Sequence, residues 1–65
     1  MMINDYQTGS LLFYDGGIGR YFYGTILSVA IDVARNYAYM TVLNRNGEVC
    51  NLNLDEETMK QWTTK

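Results

Sequence analysis

The chain has 65 residues, 48% of them hydrophobic, with seven acidic side chains against five basic ones and a formal net charge of −2. A chain of this length makes one domain, expected over residues 1–65, and its thin core buries only about 60% of the surface that the unfolded chain exposes. A single cysteine and no histidine exclude an intramolecular disulfide and the common Cys/His zinc sites, while the acidic balance disfavours non-specific contact with phosphates.

Of the usual staples of a small scaffold, self-association is the one left, so a homo-oligomer is an expectation. Cys50, unpaired and without a secretory signal ahead of it, fits a reducing compartment, and the chain is expected in the cytoplasm. No apolar run approaches the ~20 residues of a membrane span. Neither a membrane nor a cofactor is expected as a partner.

Residues 1–10 are polar and irregular, with a loop at Thr8-Gly9-Ser10 before the strand-length apolar run Leu11-Leu12-Phe13-Tyr14-Asp15. Gly16-Gly17-Ile18-Gly19 then permits positive φ and predicts a tight hairpin turn. From Arg20 to Val33 the β-branched and aromatic side chains predict a long strand, with Gly24 as a bend or bulge within it. A helix around 26–36 is the rival reading, because Leu27, Ala30, Ile31, Ala34 and Ala38 recur at helical spacing.

Arg35-Asn36 predicts a turn, and Tyr37 to Leu43 a further strand. Asn44-Arg45-Asn46-Gly47 contains the Asn-Gly pair favoured by type I′ turns. Beyond it, alternation sets Cys50, Leu52 and Leu54 on one face, with Ala38, Met40 and Val42 facing them in the core. The chain closes on a short predicted helix with Asp55 as N-cap, Glu56 and Glu57 at the positive end of the dipole, and Leu54 packing on Met59. Trp62 is expected near the end of that helix, pinning it over an open end of the sheet. The predicted fold is mainly β: a small antiparallel four-stranded sheet or SH3-like barrel with a short C-terminal helix.

Catalytic chemistry finds little to work with. Histidine is absent, the cluster Asp55, Glu56 and Glu57 reads as helix N-terminal charge, and Cys50 alternates with leucines as a buried core thiol. The glycine run lacks the spacing, the lysine and the following helix of a phosphate loop. The tyrosines carry more information, since Tyr21 and Tyr23 share a face by alternation, as do Tyr37 and Tyr39. If the two strands pair, these rings form either a platform for a ligand or ordinary cross-strand aromatic pairs.

The segments Tyr23-Gly24-Thr25-Ile26-Leu27-Ser28-Val29 and Met40-Thr41-Val42-Leu43-Asn44-Arg45-Asn46-Gly47-Glu48-Val49 resemble the small SH3-like barrels of the Tudor and KOW type. Such barrels bind peptides, methylated side chains or nucleic acid through aromatic residues near their loops. The resemblance points to Tyr21, Tyr23, Tyr37 and Tyr39.

The functional expectation is a non-catalytic protein-binding module, a stand-alone regulator or inhibitor of the kind phages encode, docking on a larger host protein. Its candidate anchors are Tyr21, Tyr23, Tyr37, Tyr39 and Trp62, with Arg20, Arg35 and Arg45 as polar contacts. Two alternatives remain open. One is binding of single-stranded nucleic acid through the same tyrosines and arginines, and the other is a homo-oligomeric assembly role through a strand edge or the tyrosine face.

Overall fold

Turn residues at 16–19, 33–36 and 44–47 cut the chain into antiparallel strands, and the computed structural model describes residues 6–65 of it. The strands are β1 (Leu11–Asp15), β2 (Arg20–Asp32), β3 (Tyr37–Asn44), β4 (Val49–Leu54) and β5 (Trp62–Thr64), with one helix, α1 (Glu56–Met59), before the last. They form an open five-stranded sheet in the order β4-β3-β2-β1-β5. The predicted mainly β class with a short helix near the C-terminus is observed, with one strand more than expected.

The added strand is β5. It has three residues, too few for an alternating signal, and it pairs with the free edge of β1 through Tyr14↔Trp62, Phe13↔Thr63 and Leu12↔Thr64. Trp62 therefore opens a strand rather than ending a helix. The long strand predicted from Arg20 is observed to Asp32, followed by a turn, and the rival helix around 26–36 is not formed. A register shift between Ile26 and Ser28 interrupts strict alternation within the strand. The extra residue there sets the core-facing side chains at Ile26, Val29 and Ile31, while Leu27, Ala30 and Ala34 of the helical stripe lie exposed.

The β3–β4 hairpin also differs from its prediction. Among its turn residues only Gly47 has positive φ, at 85°, so the turn is not type I′. The Gly47 N–H donates to the Asn44 carbonyl at 3.0 Å, a type I turn followed by a left-handed glycine. The Asn44 side chain fixes it, with Oδ1 accepting from the backbone N–H of Asn46 at 3.0 Å and of Glu48 at 2.9 Å.

The core lies on one face of the sheet. Leu12 of β1, Ile26 of β2, Val42 of β3 and Leu54 of β4 are fully buried, with Ala38 and Met40 beside them. As expected, Ala38, Met40 and Val42 stand opposite Leu54, Leu52 and Cys50. Tyr6 closes the core from a segment predicted as irregular. It is buried, and its hydroxyl donates to the carbonyls of Trp62 at 3.0 Å and Met59 at 3.3 Å. Of the predicted irregular N-terminal stretch, residues 1–5 lie outside the described residues.

α1 starts where the sequence predicted. Asp55 is its N-cap, accepting from the Thr58 N–H at 2.8 Å. The Thr58 hydroxyl, and after it this backbone N–H, hold the Asp55 carboxyl below the usual carboxylate range. A carboxyl whose folded value is depressed adds stability above its unfolded value of about 3.9, and that stability is lost as pH falls through the folded value. An Asp55→Ala variant is accordingly expected to unfold at lower urea than the parent chain at neutral pH. The difference should narrow below pH ~4, as the capping carboxylate of the parent chain protonates.

Candidate functional site

The bulges that bend β2 also decide which tyrosines meet. Register pairs Tyr14 with Tyr21, then shifts between Leu12 and Phe13, so that Leu12 faces Gly24 and Tyr23 is the additional residue. Tyr21 and Tyr23 thus point to the core side. There Tyr14 lies between Tyr21, at 5.6 Å between ring centroids, and Trp62, at 4.8 Å, while Tyr23 meets Trp62 edge-on at 4.9 Å. The Tyr23 hydroxyl and the Cys50 thiol are hydrogen-bonded at 3.5 Å. That bond, followed by burial, raises the Tyr23 phenol above its ordinary value.

Tyr37 and Tyr39 take the opposite face. They alternate with the buried Ala38 and Met40, and their rings sit 4.8 Å apart. The sheet therefore does not gather the four tyrosines into one platform: Tyr23 packs against the core, Tyr21 lies exposed on the same side, and Tyr37 and Tyr39 stand on the outer face of β2, β3 and β4. Tyr23 is half-buried and Trp62 buried, so neither offers a surface, and Tyr21 projects from the β1–β2 hairpin.

The arginines are also apart. The Arg20 guanidinium lies 4.6 Å from the centroid of the Phe13 ring, which packs in turn on Phe22. Arg35, in the β2–β3 turn, is 3.7 Å from the Asp32 carboxylate, an exposed pair. Arg45 stands in the β3–β4 turn, exposed to solvent.

The outer face has a built centre that the sequence did not single out. Tyr39 is 44% exposed and sits in a shallow depression of about 420 Å³ lined also by Ser28, Ala30, Thr41, Asn51 and Asn53. These residues fall into rows by register: Ser28, Thr41 and Asn51 in one, Ala30, Tyr39 and Asn53 in the next. None carries a charge. Toward the β3–β4 turn the face becomes apolar, with Leu43 opposite Val49 and both exposed. Polar amides and hydroxyls around one aromatic ring, continued by two aliphatic side chains, match the mixed chemistry of a protein-binding surface.

A signal for this face was present in the sequence. Asn51 and Asn53 alternate with core residues on β4, which assigns both to the solvent side.

Comparison of the chain with family models, with curated proteins and with solved structures returned no match. Among the described residues no group of three or more Cys, Asp or Glu side chains is placed to hold a metal ion, and no helix is long and apolar enough to cross a membrane.

Proposed function

We propose that this chain is a non-catalytic protein-binding module that docks on a larger protein through the outer face of β2, β3 and β4. The observation that carries the reading is Tyr39, exposed at the centre of an uncharged depression and steadied by the ring of Tyr37. Aromatic side chains held by packing lose little entropy on binding and are the commonest anchors of protein interfaces. Asn51, Asn53 and Ser28 supply donors and acceptors for peptide groups around that anchor.

The strand order, the bent β2 and the helical turn before β5 support reading the sheet as an opened SH3-like barrel. On this reading the chain acts as a cytoplasmic regulator or inhibitor of phage type, with no cofactor. Nucleic acid is the weaker partner class. Arg35 is paired with Asp32 and Arg20 is engaged with Phe13, which leaves little positive surface beside the tyrosines to neutralise phosphates.

An affinity capture from host lysate with the tagged chain, with and without nuclease, tests the class of partner. One nuclease-resistant protein, retained by the parent chain and lost by a folded Tyr37→Ala/Tyr39→Ala variant, is the expected result. Nucleic acid alone, or a partner captured equally by the variant, contradicts it.

A further inference from the structure

β4 ends the sheet, and the direction of its backbone groups follows from the hairpin that precedes it. The Asn44 N–H donates to the Glu48 carbonyl at 2.8 Å. By alternation, Cys50, Leu52 and Leu54 bond toward β3, and the N–H and C=O groups of Val49, Asn51 and Asn53 point to the free edge. Ile26 confirms the phase from the other side, because its N–H and C=O bond Ser10 and Gly9 rather than its register partner Val42.

Sheets ordinarily blunt an edge with charge, proline, a bulge or brevity. β5 is blunted by its three residues. β4 uses none of these devices: Val49–Leu54 is six residues of regular register, without a charge or a proline.

We propose that β4 pairs antiparallel with β4 of a second copy of this chain, about a twofold axis at Asn51. The edge is self-complementary in that register. Asn51 faces its own copy and each Val49 faces Asn53, giving three hydrogen-bonded pairs that exchange two backbone bonds each. A one-residue slip would invert the faces, and a two-residue slip would lose a pair.

On the inner face the same register sets Cys50 opposite Leu52 of the second copy. Both are half-buried at the margin of the core, so pairing covers apolar surface left wet in a single chain. Charge agrees at the strand ends. The turn bearing Arg45 comes beside the second copy's helix start, with Asp55, Glu56 and Glu57, and the symmetry repeats the contact.

An edge contact is smaller than the roughly 1,600 Å² of a standard interface, so the dimer is weak and depends on concentration. It leaves the Tyr39 face open and sets two such faces side by side, and it does not rest on the binding reading above.

Sedimentation velocity of the full chain over a hundredfold concentration range, combined with amide hydrogen exchange, tests the proposal. The expected result is a mass that doubles with concentration, with exchange slowing at the Val49, Asn51 and Asn53 amides over the same range. Asn51→Lys and Asn51→Asp each set like charges opposite one another; each is expected to stay monomeric with native Trp62 fluorescence, and their equimolar mixture to recover the doubled mass. Should a variant unfold, exchange in the parent chain decides alone. A parent chain that stays monomeric, a dimer indifferent to both substitutions, or protection that grows on another element would overturn the proposal.

Discussion

A Trp62→Ala chain is expected to be largely unfolded at room temperature, seen as loss of the sheet signal in far-ultraviolet circular dichroism. Trp62 is buried and contacts the rings of both Tyr14 and Tyr23. It also begins β5, the strand that pairs with the outer edge of β1. Removing a buried aromatic side chain costs about 3–5 kcal/mol, and the core of a chain this small supplies only about 3–5 kcal/mol in total. The substitution therefore removes most of the margin. Cooperative unfolding at the parent chain's urea midpoint would show that Trp62 does not organise the core.

The second large effect is expected at Gly24. A side chain begun there would run into the carbonyl oxygen of Leu43, with Val42 Cγ1 at 2.7 Å and Asn44 Cα at 3.0 Å. Its φ is not positive, so the obstacle is space rather than backbone strain. Two of the three neighbours are backbone atoms of the paired strand, which cannot swing aside. Overpacking of this kind costs about 1–3 kcal/mol, and Gly24→Ala is expected at the upper end, as a lower urea midpoint read by Trp62 fluorescence. Gly16→Ala is the control. There the added carbon meets the Tyr14 ring, a side chain that can turn away, so a smaller shift is expected. Equal shifts at the two positions would contradict the steric account.

Much of this sheet was legible in the residues because turn chemistry is local. Gly16-Gly17-Ile18-Gly19, Arg35-Asn36 and Asn44–Gly47 each mark a chain reversal through their own side chains, and all three turns stand where they were predicted. Asp55 announced the helix start in the same way. What failed depended on partners distant in sequence. The bulge between Ile26 and Ser28 is a property of the β2–β3 pair and is not visible within β2 alone. β5 is a strand because β1 offers it an edge, and Tyr6 joins the core against Met59 and Trp62, more than fifty residues away in sequence.

The candidate site follows the same division. Alternation paired Tyr21 with Tyr23, and Tyr37 with Tyr39, correctly in each strand. Their common face did not follow, because the bulged residues shift the phase of β2 against its neighbours. The depression around Tyr39 is assembled across three strands, so its lining becomes visible only once the register is known.

The central claim is that binding is done by the outer face and not by the tyrosines of the core side. Titration of the captured partner against the parent chain, Tyr39→Ala and Tyr21→Ala tests it most directly, with Trp62 fluorescence confirming that each chain is folded. The account predicts at least about a tenfold loss of affinity for Tyr39→Ala, consistent with a hot-spot aromatic whose truncation costs about 2 kcal/mol, and near-parental affinity for Tyr21→Ala. The reverse order, or equal affinity for all three chains, would contradict it.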